Sequence, residues 1–240
     1  MDYHLIFSNP RSGSTTLAHF LDEAINGRFV DEPFHPEKQD DLFSFNSRKR
    51  LKSGESIESV LTDVQKEFDG FKYLYGVSDP LMIQYDEDVV RNANKIVFLY
   101  RRNVFKATLS LKVAFFTDKF QVYDDKEIGS SSLHIKPANF EKRFEKFKNF
   151  YPFVRSLRSD VESITLTYKN LYFNKTEEKV NEILNFFDLD YKAKDKIKSL
   201  KEKWFSKTNK LNSESSYCNI VENLEEIKNK FGSKKWGTLG

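Results

Sequence analysis

Residues 5–25 read Leu-Ile-Phe-Ser-Asn-Pro-Arg-Ser-Gly-Ser-Thr-Thr-Leu-Ala-His-Phe-Leu-Asp-Glu-Ala-Ile. The apolar run Leu5 to Ser8 stops at Asn9-Pro10, and Leu17, Ala18, Phe20, Leu21, Ala24 and Ile25 then recur at helical spacing. This is the pattern of a strand, a tight turn and a helix. A second short strand is predicted over Arg28 to Asp31, ending before Pro33 because the residue preceding proline avoids the helical region. Ile57, Val60, Leu61, Val64 and Phe68 mark an amphipathic helix closed by Asp69-Gly70. Phe71 to Val77 and Lys95 to Tyr100 then read as strands, with a weaker helix over Leu81 to Ala93 between them.

Beyond Asn103, Val104, Ala107, Leu111 and Ala114 keep the helical period. Phe140, Phe144, Phe147, Tyr151, Val154 and Leu157 run down one face of another helix, which Pro152 should bend or divide. Ser163 to Thr167 is a last strand, followed by helices over Glu177 to Phe187, Lys194 to Phe205 and Leu224 to Phe231. The segments Phe34 to Glu55, Asp118 to Lys136 and Thr208 to Asn219 read as polar and irregular. Strands alternating with helices imply an α/β, P-loop-like three-layer domain: a central, mostly parallel sheet flanked by helices. One domain over residues 1–240 is expected, with a helical C-terminal part from about residue 190.

Composition narrows the function classes. In 240 residues, 39% are hydrophobic and 23 are Phe, ample for a core, which excludes wholesale disorder. No apolar run approaches the ~20 residues of a spanning helix, and the first residues lack the pattern of a secretory signal. Cys218 is the only cysteine, so no intrachain disulfide can form, which fits a reducing cytoplasm. A net charge of +3 does not argue for nucleic acid as partner. His4, His19, His35 and His134 are isolated and form no metal-ligand spacing, so no metal is expected.

The turn after the first strand concentrates Pro10, Arg11, Gly13 and the hydroxyls of Ser12, Ser14, Thr15 and Thr16 where a helix begins. A helix N-terminus leaves backbone N–H groups unpaired under a partial positive charge, Gly13 allows close backbone approach, and Arg11 adds a planar charged fork. This is an anion cradle. It lacks the first glycine and the lysine of a nucleoside-triphosphate loop, which demotes kinases and GTPases. Lys95 to Asn103 supplies a second anion motif, a strand ending in Arg101-Arg102 and a helix that carries Ser110. A strand end and the next helix can converge on one anion through a bidentate arginine and a hydroxyl.

Pro10-Arg11-Ser12-Gly13-Ser14-Thr15 resembles the signature loop of sulfotransferases that use 3′-phosphoadenosine-5′-phosphosulfate (PAPS), closest to the bacterial and carbohydrate-type members. The resemblance implies that residues 11–16 hold the 5′-phosphosulfate, with Arg11 steadying charge on the bridging oxygen as the bond to sulfur breaks. It implies that Arg102 and Ser110, eight residues apart, hold the 3′-phosphate, with Arg101 as second choice. Thr165 to Leu171 is similar to a further segment of the family, although Lys169-Asn170 departs from its Glu-Asp, and places Tyr168 beside the adenine. The catalytic base would be Glu32 of Glu32-Pro33, with His35 as its rival. No metal is required, and the acceptor would be a hydroxyl-bearing carbohydrate, glycolipid or small metabolite. A P-loop-like nucleotide or sugar kinase and a non-catalytic binding module are the alternatives.

Overall fold

A computed structural model of the chain describes residues 3–25, 28–34, 47–75, 80–117, 132–188, 194–205 and 217–238. Two compact units are present, residues 1–100 with 153–206 and residues 101–152 with 207–240.

The first unit holds five strands: β1 (His4–Ser8), β2 (Phe29–Asp31), β3 (Gly70–Leu74), β4 (Lys95–Tyr100) and β5 (Ser163–Thr167). They form one sheet in the order β2-β3-β1-β4-β5, every neighbouring pair parallel. Parallel neighbours need crossover connections, and helices supply them: α1 (Ser14–Ala24) leaves β1, and α3 (Ile57–Glu67) precedes β3. Side-chain alternation assigns the two faces. Ile6, Phe29, Val97 and Leu99 join one core with Leu17, Phe20 and Leu21 of α1, with Val180, Ile183 and Leu184 of α8 (Thr176–Phe187), and with Ile197, Leu200 and Phe205 of α9 (Lys194–Phe205). On the opposite face Phe7 stacks 5.7 Å from Tyr73 and 5.8 Å from Phe153, and Tyr3 stacks 4.9 Å from Phe71. The Tyr3 hydroxyl donates to the Val89 carbonyl at 2.6 Å in the short helix Asp86–Arg91, and the Tyr73 hydroxyl donates to the Met82 carbonyl at 3.0 Å. The result is the three-layer α/β arrangement that the alternating elements imply.

The second unit packs α6 (Val104–Thr117) and the first part of α7 (Pro137–Leu157) around Phe105, Phe140, Phe144, Phe147, Tyr217, Ile227 and Phe231. The helix Leu224–Phe231 supplies the last two of these. Asn103 opens α6: its Oδ1 accepts from the Lys106 N–H at 2.7 Å, and its Nδ2 donates to the Thr238 carbonyl at 2.8 Å.

Several local expectations are corrected. The single weak helix over Leu81 to Ala93 is two short ones, Pro80–Ile83 and Asp86–Arg91, because a turn closes between them with the Tyr85 N–H on the Met82 carbonyl. The polar segment before Glu55 contains α2 (Ser47–Lys52), tied down by buried Leu51 and by Arg50, which reaches both Glu55 and Asp63. Helix α7 runs unbroken through Pro152, and the boundary between the two units falls there. On its buried stripe Phe150 replaces Tyr151, which is 51% exposed; steps of three and four from Phe147 through Phe150 and Val154 to Leu157 follow the 3.6-residue period more closely. Within the polar connection before the last helix, Tyr217 is buried in the second core.

Gly70 sits at a tight point of the sheet. A Cβ there would stand 2.7 Å from the His4 carbonyl oxygen and 2.5 Å from the Phe29 ring. A backbone oxygen in a paired strand cannot retreat, so Gly70→Ala is expected to destabilise the protein by about 1–3 kcal/mol. The measurement is a fall in the urea midpoint at unchanged slope; an unchanged midpoint would show that β1 and β3 can separate locally.

Candidate functional site

The turn between β1 and α1 has features that suit an anion. Gly13, at φ 85°, is the N-cap of α1, no side chain caps the helix, and its first turn carries no acid. The first-turn N–H groups are thus left under the positive end of the helix with no side-chain acceptor. Ser12 Oγ is buried in the same turn without a hydrogen-bond partner, as is Ser8 Oγ at the end of β1. An orphaned buried hydroxyl costs roughly 1–3 kcal/mol, so Ser12 suits a site completed by an anion. Ser14 is buried and Arg11, Gly13, Thr15 and Thr16 are half-buried.

Gly13 is required twice over. Its left-handed conformation disfavours any side chain, and a Cβ would stand 2.7 Å from Tyr172 Cζ. Tyr172 lies in a π-helical turn, Asn170–Asn174, after β5, and its hydroxyl donates to the Gly13 carbonyl. The Tyr168 ring lies 4.9 Å from that of Tyr172. Tyr168 therefore reaches the cradle through Tyr172, the residue in direct contact.

Beside the cradle lies a group that the sequence reading missed. Lys72, in the middle of β3, is 1% exposed. Its ammonium lies 2.5 Å from Asp31 Oδ1 and 2.6 Å from Glu32 Oε1, and it donates to Thr15 Oγ1 at 2.6 Å. Strand register sets this up, since Lys72 is the direct partner of Asp31 on β2 and of Ile6 on β1. Lys72 and Asp31 are therefore on the α1 side of the sheet with Ile6. A lysine inside an otherwise apolar strand was the available signal, because lysine is almost never fully buried unless paired.

Glu32 reaches the same ammonium by breaking the strand. Consecutive residues of a strand point to opposite faces, so Asp31 and Glu32 could not share one partner if β2 continued. Glu32 instead has φ 52°. For a non-glycine residue before proline this conformation is strained, at a cost of order 1–3 kcal/mol. Arg11, with φ 62°, is strained in the same way. Strain of this kind persists where surrounding contacts over-determine it, and it concentrates at functional sites.

The cluster extends one residue further. His19 Nε2 on α1 lies 3.9 Å from Asp31 Oδ2, and the His19 ring meets the edge of Trp204 at 5.3 Å. His19, isolated in the sequence, is thus beside the cradle's supporting carboxylate.

The predicted residues fall into three groups. Arg11 to Thr16, Glu32 and, through Tyr172, Tyr168 come together in the first unit. Arg102 and Ser110 belong to the second, where Arg102 is exposed before α6 and Ser110 is buried two turns along that helix; Arg101, the second choice, is buried. His35 lies outside the described residues, as do most of the polar segments 34–55 and 118–136.

The chain is similar to two solved sulfotransferase structures. One is the sulfotransferase domain of the Synechococcus PCC 7002 olefin synthase, at 14% identity and a TM-score of 0.49 over 79% of this chain and 74% of that one. The other is the mouse sulfotransferase SULT7A1 complexed with PAP, at 13% identity and a TM-score of 0.46 over 98% of this chain and 77% of that one. No family model and no curated protein sequence matches the chain.

Lys72→Met would leave two adjacent, largely buried carboxylates without their cation. It is expected to cost about 3–5 kcal/mol, and adding Asp31→Asn and Glu32→Gln to it should recover most of that loss. Urea denaturation of the three chains checks this; a single variant as stable as the parent would mean that the ammonium is not what holds the two carboxylates.

Proposed function

We propose that this protein is a PAPS-dependent sulfotransferase, moving a sulfuryl group to the hydroxyl of an acceptor, with a carbohydrate or glycolipid as the favoured acceptor class. The observation that carries the reading is the Lys72 ammonium shared by Thr15 of the cradle and the Glu32 carboxylate. Two oxygens each 2.6 Å from one nitrogen lie no more than about 5 Å apart, so a proton acceptor stands beside the candidate anion site. Such proximity is what a reaction needs in which a nucleophile loses its proton next to a bound oxyanion.

On this reading the acceptor oxygen attacks sulfur in line as its proton passes to Glu32. The bond from sulfur to the bridging phosphate oxygen breaks, and the electron pair leaves with the 5′-phosphate. Charge developing on that oxygen is met by the first-turn N–H groups, Arg11, the hydroxyls of Ser12, Ser14, Thr15 and Thr16, and the Lys72 ammonium. In the second unit we assign Arg102 and Ser110 to the 3′-phosphate, with both units forming one sulfotransferase domain, and in the first we assign Tyr168 to the adenine. His35 remains the rival base. Among the described residues no helix is long and apolar enough to cross a membrane. Together with the free thiol of Cys218, this supports a cytoplasmic enzyme.

Calorimetry with 3′-phosphoadenosine-5′-phosphate and with ATP-Mg²⁺ separates the enzyme classes. Micromolar affinity for the bisphosphate and little for ATP is expected; preference for ATP would install the kinase reading, and binding of neither would leave the non-catalytic module. Arg11→Ala and Arg102→Ala should each weaken bisphosphate binding at least about tenfold, the worth of one charge-assisted contact. Glu32→Gln should leave that binding within a few-fold while lowering sulfuryl transfer by about 10²–10⁴. Full turnover in Glu32→Gln would pass the base role to His35.

A further inference from the structure

His19 stands where the cluster around Lys72 meets solvent. It follows Thr15 by four residues, one turn along the same face of α1. Its side chain is 36% exposed, against 12% for Asp31 and 1% for Lys72. From α9 the Trp204 ring packs against the imidazole, at 79° to it and 5.3 Å away. His19 thereby closes a circuit within the first unit. Its Nε2 lies 3.9 Å from Asp31 Oδ2, Asp31 Oδ1 lies 2.5 Å from the Lys72 ammonium, and that ammonium donates at 2.6 Å to Thr15 Oγ1, one turn from His19.

At 3.9 Å the contact between His19 and Asp31 is too long for a hydrogen bond, so it acts by charge and becomes an ion pair when the imidazole is protonated. The other charged and titratable groups around His19 come from its own helix and from the elements packed on it. On α1, Asp22 Oδ1 accepts from the Phe29 N–H at 3.0 Å, and Glu23 pairs with Lys203 of α9. Elsewhere on α9, Lys201 donates to Asn181 of α8 at 2.7 Å, and Glu202 is exposed. Strand β1 carries His4 at its far end, stacked on Phe187, while β2 ends in Asp31 with Glu32 following, and β3 brings Lys72. With His19 neutral, the carboxylates of Asp31 and Glu32 offset the cations Lys72 and Arg11. With His19 protonated, the same cluster carries one net positive charge. Asp31 is then shared between two cations, and the field of the Lys72 ammonium falls more strongly on Thr15 and the first-turn N–H groups of the cradle.

We propose that His19, acting through Asp31 and Lys72, sets the affinity of the cradle for an oxyanion: its protonation strengthens binding, and a bound oxyanion draws a proton onto it. His19 is thus a positioning residue that does not itself touch the anion. The inference rests on the anion-cradle reading and not on sulfuryl transfer. Affinity is highest below the histidine range, near about pH 6.5, and falls as the pH rises through it.

The test is a sulfate titration of the full chain at pH 5.5 and pH 8, at constant ionic strength, followed by histidine-ring NMR. Sulfate keeps both of its charges over this range, so only the protein titrates. The parent should bind sulfate about fivefold more tightly at pH 5.5 than at pH 8, and His19→Gln should lose that difference, holding the parent's pH 8 affinity throughout. By reciprocity, saturating sulfate should raise the titration midpoint of His19 by about 0.7 pH unit, the logarithm of that factor. This second readout uses the unsubstituted protein, with His19 recognised by the resonance that His19→Gln lacks. Equal pH dependence in the parent and His19→Gln, or a His19 midpoint that sulfate does not move, would overturn the inference while leaving the cradle in place. Sulfate bound as tightly by Arg11→Ala as by the parent would remove the cradle itself, and the inference with it.

Discussion

An ammonium ion buried in the middle of a parallel sheet is the constraint on which this arrangement turns. Lys72 is 1% exposed, and a bare ammonium at that depth would cost several kcal/mol. Its neighbours must therefore be anions or hydrogen-bond acceptors, and each is delivered by a different element: Asp31 by the register of β2 on β3, Thr15 by the first turn of α1, and Glu32 by a break in β2. A one-residue slip of β2 would send the Asp31 side chain to the other face, and in one direction it would set Val30 opposite the ammonium. The chemistry of one side chain thus fixes strand register, helix position and strand termination together.

The same logic explains why strain is tolerated at two points. Arg11 and Glu32 are both in the left-handed region, one in the turn that makes the cradle and one at the edge that faces it. Glu32 is held by its ion pair with Lys72, and the turn containing Arg11 is held from behind by the Tyr172 hydroxyl on the Gly13 carbonyl. A free loop would relax to an extended conformation; here the contacts that would be lost outweigh the roughly 1–3 kcal/mol recovered.

Much of this was legible in the sequence where it rested on periodicity or on turn chemistry. Leu17, Phe20, Leu21 and Ala24 of α1 are all buried, and the bounds of the helices Lys194–Phe205 and Leu224–Phe231 follow the apolar spacing. The cradle was visible because Pro, Arg, Gly and hydroxyls crowd a strand-to-helix turn. Lys72 was not, because its role depends on pairings across 41 and 57 positions, which no local window contains. The π-helical turn that brings Tyr172 rather than Tyr168 onto Gly13 was hidden for a related reason, since a shift from regular helix to a wider turn has no composition signature in Asn170 to Asn174.

Charge balance bears on the proposed chemistry. Asp31 and Glu32 offset Lys72 and Arg11, so the formal charges around the cradle cancel and the attraction for an anion falls to the helix end and to the orientation of the cations. Such a site has no excess charge to trap solvent anions tightly, yet it can respond as a reaction proceeds. If Glu32 accepts a proton, its hold on the Lys72 ammonium weakens, and that ammonium is already hydrogen-bonded to Thr15 in the cradle. On the proposed reading, the positive charge released by protonating Glu32 would then become available on the side where the leaving phosphate gains negative charge, and proton removal and leaving-group stabilisation would be coupled through one buried cation.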